Sequence, residues 1–211
     1  TTLRDVPARH RSMRAVFDHS WKLLSEEQRA LFSRLAVFRS GWTAEAATQV
    51  AGATTDGLIA LVDKSLVRAS SVAMAGLTTN TPASAPEPRF MMLEPIRGYA
   101  LEQLAARGEE SVVRDRHATY YLAFAEATAI DWGTPMKEAA IARQRREHNN
   151  MRAALQWAYD TGNSTVGLQF ALALWRFWRS FGYKSEGRAW LGQLLSLSEH
   201  SADKTTMAAR E

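Results

Sequence analysis

The sequence predicts a mainly α-helical chain in two parts, a winged helix followed by antiparallel helical hairpins. Three observations carry this. Apolar residues recur at three- and four-residue spacing over most of the chain. The helical period breaks between residues 66 and 93, where two short strand-like runs flank a stretch rich in Ala, Ser, Thr and Pro. The breaks between the later helices are short, so neighbouring helices run antiparallel. The boundaries that follow are a linker over 1–11, a winged-helix domain over 12–108 with a mobile wing tip at about 70–88, and a helical region over 109–211.

Residues 1–11 are basic and end in Arg9-His10-Arg11, which reads as linker. A helix is predicted from Ser12 to Leu24, with Met13, Phe17, Ser20 and Leu24 on one face and Val16 and Leu23 beside them. Ser25-Glu26-Glu27-Gln28 has the form of a capping box, in which the serine side chain and the glutamine side chain each satisfy a free backbone N–H. The helix it opens carries Leu31, Leu35 and Phe38 inward, and Ser40-Gly41 ends it. Thr43 caps a third helix bearing Ala46, Ala47, Val50 and Ala51, closed by Gly52. A fourth helix over about 55–64 carries Leu58, Ile59, Leu61 and Val62. Leu66 to Ala69 and Arg89 to Leu93 then read as two partnered strands. Helices followed by such a hairpin are the parts of a winged helix.

The junction RFMMLEPIRGYALEQL (89–104) passes from strand to helix at Glu94-Pro95. Proline suits the first helical position because its missing N–H would have no partner there. Beyond it the chain reads as helix upon helix. One carries Val113, His117, Tyr120, Tyr121 and Phe124 on a face. Thr134-Pro135 caps the next, with Ile141, Gln144, His148, Met151, Leu155 and Ala158 in register. Val166 to Phe181 presents Leu168, Ala171, Leu172, Trp175 and Trp178, and a helix over about 184–197 presents Trp190, Leu191, Leu194 and Leu195.

Composition and motifs narrow the function. The 211 residues contain no cysteine, which excludes a disulfide scaffold and thiol chemistry and fits a reducing cytoplasm. The net charge of +4 is a mild excess. No apolar run approaches the roughly 20 residues that span a bilayer, so no membrane partner is expected. The chain opens on Thr rather than Met, which reads as a piece of something longer. There is no phosphate-binding loop, no G-x-G-x-x-G and no G-x-S-x-G. His117 and His148 sit singly on apolar faces and read as structural. No catalytic or metal site emerges, and the expectation is a non-enzyme.

Two surfaces remain as binding candidates. Trp175, Trp178 and Trp190 are either core between stacked helices or aromatic anchors of a peptide groove. Arg143, Arg145 and Arg146, with Arg152, are either a solvated helix face or a contact for phosphates or an acidic partner. The helix before the wing offers Asp56, Asp63 and Lys64, one cation against two carboxylates, and no Lys or Arg lies between Ala69 and Pro88. Phosphate contact wants several cations. That argues against direct DNA binding by this fragment.

Four segments carry a family resemblance: SMRAVFDHSWKLLSEEQRALFSRLAVFRSGWTAEAA (12–47), LVDKSLVR (61–68), RFMMLEPIRGYALEQL (89–104) and RREHNNMRAALQWA (145–158). In this order they resemble the region just after the nucleotide-binding domain of bacterial STAND-class signal-transduction ATPases. These regulators are related to the apoptosome and plant resistance ATPases and are often joined to LuxR-type, SARP-type or adenylate-cyclase modules. The resemblance runs from Arg9 to about Ser198. It implies a winged helix followed by the start of a tetratricopeptide-like (TPR-like) array, with Gly182, Gly187, Leu191 and Leu194 matching positions of one repeat. It also implies partners, namely the chain's own upstream nucleotide-binding domain, further repeats downstream, and an inducer or partner protein. No cofactor is implied for the fragment itself, since ADP or ATP belongs to the upstream domain. Eukaryotic relatives sense ADP phosphates with a Met-His-Asp-like motif where Met92-Leu93-Glu94-Pro95 stands here. Leu93, Glu94 and Arg97 are therefore the nucleotide-facing candidates. Glu94 replaces the histidine and would repel phosphate. Arg97 is either its substitute or a surface arginine opening a helix. The function expected is a non-catalytic regulatory and protein-interaction fragment that couples nucleotide state to a helical sensor. The alternatives are a DNA-binding winged-helix regulator and a free-standing peptide-binding TPR-like protein.

Overall fold

The computed structural model describes residues 8–70, 89–129 and 137–208. The chain divides into two compact units, Thr1–Val113 and Arg114–Glu211. They are taken here in turn.

In the first unit, α1 (Ala8–Lys22) precedes α2 (Glu26–Arg34), whose end tightens into a 3-10 turn over Leu35–Val37. The capping box forms as the sequence dictates: Ser25 Oγ accepts from the Gln28 N–H at 3.3 Å, and Gln28 Oε1 accepts from the Ser25 N–H at 3.2 Å. Next come β1 (Trp42–Thr43), α3 (Ala44–Ala51), α4 (Thr55–Asp63), β2 (Arg68–Ala69), β3 (Arg89–Met91) and α5 (Glu94–Ala106). The three strands form an antiparallel sheet in the order β1-β3-β2. Trp42 pairs with Phe90, Arg68 with Met91, and Ala69 also with Phe90. Phe32, Leu35, Phe38, Trp42, Leu58, Leu61, Phe90 and Leu104 are buried. The rings of Phe38 and Trp42 stack at 5.1 Å.

Several expectations change. The basic stretch read as linker contributes its last residues to α1, because Ala8 to Lys22 holds no Gly or Pro and Ala and Arg are strong helix formers. Val16 and Leu23, placed beside the apolar face, are exposed. The wing is joined by a third strand, β1, which at two residues is too short to show a period. Gly41 makes that pairing possible. Its φ is +102°, and a Cβ there would lie 2.7 Å from the Phe90 carbonyl oxygen. Most of the wing tip, residues 71–88, lies outside the described residues.

The unit boundary falls within α6 (Glu110–Ala127). The second unit continues with α7 (Lys137–Asp160), α8 (Ser164–Ser180) and α9 (Lys184–Ala208), so helical hairpins follow the winged helix. The cap expected at Thr134-Pro135 lies outside the described residues. Three-residue turns join α7 to α8 and α8 to α9, with Gly162 and Gly182 in the left-handed region. Asn163 Oδ1 caps α8 by accepting from the Val166 N–H at 3.2 Å. The α8–α9 pair packs through small residues. A Cβ on Gly187 would meet Trp178 Cε3 at 2.7 Å, and one on Gly167 would run into the Leu194 side chain. The buried face of α8 is Gly167, Phe170, Ala171, Ala173, Leu174, Phe177 and Trp178. The expected face was rotated: Leu172 is 73% exposed and Trp175 39%. An almost wholly apolar helix offers several stripes, and glycine contacts rather than hydrophobicity select the right one. No helix among the described residues is long and apolar enough to cross a membrane.

Candidate functional site

α3, the turn Gly52-Ala53-Thr54 and α4 form a helix-turn-helix. Each part has a local cause. Thr43 Oγ1 accepts from the Ala46 N–H at 3.1 Å and starts α3. Gly52, at φ +70°, ends it. Thr54 Oγ1 accepts from the Gly57 N–H at 3.1 Å and starts α4. Gly57 lets α4 approach α2, since a Cβ there would be 2.7 Å from Leu31 Cδ2. Leu58 and Leu61 anchor α4 in the core. Its opposite face is open: Thr54, Thr55, Asp56, Asp63 and Lys64 are exposed, with Ile59 and Ala60 half-buried between them. Ser65 then takes a left-handed conformation at φ +59°, and the chain turns into β2 with Arg68 exposed. Lys64 and Arg68 thus bracket the passage from α4 into the wing. The third wing cation, Arg89, is half-buried on β3. The wing is pinned at its described edge, where the Ser70 N–H donates to the Arg89 carbonyl at 2.9 Å and the Arg89 N–H donates to Ser70 Oγ at 3.3 Å.

The junction candidates lie at the start of α5. Leu93 is its N-cap, 40% exposed and without a side-chain capping bond. Glu94 is the first helical residue, so Pro95 takes the second position. Arg97 is not a surface arginine: it is 8% exposed. Its Nε donates to both Glu94 carboxylate oxygens at 3.1 Å, and Nη2 donates to Glu94 Oε2 at 2.9 Å. Nη1 donates to the Ala36 carbonyl oxygen at 3.3 Å. These bonds hold the Glu94 carboxyl below the usual range, with lesser help from the charge of Arg39 4.0 Å away. The guanidinium ties α5 to the 3-10 turn, and its donors face protein acceptors.

In the second unit the three tryptophans separate. Trp178 is 2% exposed and belongs to the core. Trp190 is half-buried with its ring 6.3 Å from that of Tyr159. Trp175 alone is open, with the Arg176 guanidinium 4.7 Å from its ring centroid. The arginines also have distinct surroundings. Arg143 lies over Phe124, and Arg145 lies over Phe181 at 4.8 Å. Arg146 is exposed. Arg152 forks onto Glu186, Nε donating to Oε1 at 2.7 Å and Nη2 to Oε2. His117 and His148 are packed among aromatic rings. Burial pushes His117 down to about 3, against the opposing effect of its hydrogen bond to Asn150. Burial also lowers His148, against the pull of Glu186. Among the described residues no cluster of His, Asp and Glu is arranged to hold a metal.

Residues 24–105 match the winged helix-turn-helix domain family. The first unit is a winged helix-turn-helix. The chain is 34% identical over 203 residues to a protein of Mycobacterium bovis named "Putative HTH-type transcriptional regulator". Proteins of the same name in two strains of Mycobacterium tuberculosis match equally well. The match takes in 92% of this chain but only 21% of each relative, so the chain spans about a fifth of their length. No solved structure matches the chain. These findings overturn the expectation that direct DNA binding by this fragment is not to be looked for: residues 24–105 match a winged helix-turn-helix domain, and the relatives are named HTH-type transcriptional regulators. The cation count of a single helix does not decide DNA contact. Much of a protein–DNA interface is made by hydroxyls, backbone N–H groups and helix N-termini. Here Thr54 and Thr55 open α4, and the flanking cations Lys64 and Arg68 stand just outside it.

Proposed function

We propose that the chain is the DNA-reading part of a transcriptional regulator. α4 enters the major groove with Thr55, Asp56, Ile59 and Ala60 toward the bases, as the second helix of a helix-turn-helix does. Thr54, Lys64, Ser65 and Arg68 hold phosphates on either side. The observation that carries this reading is the helix-turn-helix itself, with the outer face of α4 left uncovered in its unit. Asp56 and Asp63 fit it too: a carboxylate repels phosphate and accepts from the cytosine amino group, so it trades affinity for selectivity. The test is fluorescence anisotropy with genomic duplex fragments, comparing the natural chain with Lys64→Ala/Arg68→Ala. The expected result is saturable binding that the double variant weakens on all sequences alike. Equal binding by the two proteins defeats the assignment of this face.

A second reading rests on length. The matched span is about a fifth of each relative, which leaves room for further domains. We infer that in the whole protein the winged helix is coupled to an upstream nucleotide-binding domain and that the helical hairpins begin a longer TPR-like array. Leu93, Glu94 and Arg97 then act as a mechanical joint, since the Arg97 donors are occupied within the fold. DNA affinity of the full-length protein measured with ADP and with ATP tests this. Identical affinities in both states count against coupling.

A further inference from the structure

The C-terminal end of α8 and the first residue of α9 enclose an open cleft of about 440 Å³, lined by Trp175, Arg176, Arg179, Ser180 and Lys184. That is within the size range of small-molecule sites. Three of the five lining residues are cations and none is a carboxylate. Among the described residues no carboxylate lies within ion-pair distance of these cations, and the nearest one in sequence, Glu186, is held by Arg152 and His148. Helix electrostatics accounts for only part of the cluster. Arg179 stands at the end of α8, where the helix dipole favours a cation. Lys184 opens α9, where the same dipole disfavours one. A concave surface lined by one sign of charge concentrates counter-ions.

We propose that this cleft binds a phosphomonoester joined to a planar ring, the chemistry of a nucleoside monophosphate. The phosphate lies between the Arg179 guanidinium and the Lys184 ammonium and accepts from the Ser180 hydroxyl. Arginine supplies a fork for two phosphate oxygens, and lysine adds a point charge. A phosphomonoester carries about −1.5 to −2 charges at neutral pH, which answers three cations better than one carboxylate does. The ring lies on the exposed part of Trp175, and stacking on an aromatic side chain tolerates any planar base. Arg176, already against Trp175, holds that ring in place and adds to the field.

Isothermal titration of the whole chain with AMP, inorganic phosphate, adenosine and glutarate tests the site. AMP is expected to bind saturably at one site, phosphate and glutarate at least tenfold more weakly, and adenosine not at all. Arg179→Ala/Lys184→Ala should weaken AMP binding at least tenfold with an unchanged melting temperature, since both side chains are exposed. Trp175→Ala should weaken AMP toward the level of phosphate and leave phosphate itself unaltered. No saturable AMP heat at millimolar ligand, equal binding of AMP and phosphate or of AMP and glutarate, or unaltered AMP binding in the double variant would each overturn the proposal. The site lies wholly within the second unit, so any of these outcomes leaves the DNA reading where it stands.

Discussion

Replacing Arg97 with alanine tests how the wing-to-helix junction is held. Arg97 is 8% exposed, and Ala36, whose carbonyl oxygen it meets at 3.3 Å, is wholly buried. Removing the donor leaves a buried acceptor without that partner, which costs about 1–3 kcal/mol. The Glu94 side chain is 69% exposed, so its ion pair with Arg97 adds at most about 1 kcal/mol. The expected loss is therefore about 1–4 kcal/mol, most of it from the backbone contact. Urea unfolding gives the total, and amide exchange at Tyr99 and Ala100 on α5 reports this unit alone. Glu94→Gln should cost less than about 1 kcal/mol. Arg97→Lys should recover only part of the loss, since lysine cannot fork. The pH dependence has a definite sign. Arg97 depresses the folded value of Glu94 below its ordinary 4.5, so the pair's contribution is complete above that value and fades as pH falls through the lower folded value. The gap between wild type and Arg97→Ala should narrow in acid by the share due to Glu94. A loss below about 0.5 kcal/mol, or one matched by Glu94→Gln, would refute the assignment of Arg97 as the tie between α5 and the 3-10 turn.

Other substitutions have equally direct expectations. Gly187→Ala places a Cβ 2.7 Å from Trp178 Cε3 and should destabilise the second unit by about 1–3 kcal/mol in thermal unfolding; an unchanged melting temperature would show that α8 and α9 are not in close contact there. Ser25→Ala removes one half of a capping box and should cost about 0.5–2 kcal/mol in urea unfolding. His117, pushed down to about 3 by burial, stays neutral in the fold while the unfolded chain takes up a proton below 6.5. Stability should then be full above pH 6.5 and fall toward pH 3, at no more than about 1.4 kcal/mol per pH unit from this group. His117→Gln should flatten that part of a melting-temperature series, and an unaltered slope would assign the dependence elsewhere.

The legible parts of this fold are those with local chemistry. The capping box at Ser25, the cap at Thr43 and the stop at Gly52 stand in the structure where side-chain type alone puts them, because each needs only neighbours within a few residues. The illegible parts depend on distant partners. β1 exists only because Trp42 meets Phe90, nearly fifty positions away, and two residues carry no period. The face of α8 is chosen by contacts with α9, where Gly167 meets Leu194 and Trp178 meets Gly187. The sequence leaves Arg97 as either a phosphate-facing substitute or a helix-opening surface residue, because nothing local announces the Ala36 carbonyl. The candidate interface failed for another reason. The charge of α4 argues against DNA, yet a DNA-facing surface also uses hydroxyls and helix ends, which a count of lysines and arginines does not register.

The central claim is that the winged helix binds duplex DNA through α4 and its flanking residues, and salt titration of that binding tests it most directly. Each neutralised phosphate contributes about −0.9 to the slope of log K against log salt. Lys64 and Arg68 together should therefore account for about −1.8 of the slope, and Lys64→Ala/Arg68→Ala should reduce it by that amount. Saturable binding at low salt with that change in slope is the predicted result. No binding to any duplex at low salt, or a slope identical in the double variant, would contradict it.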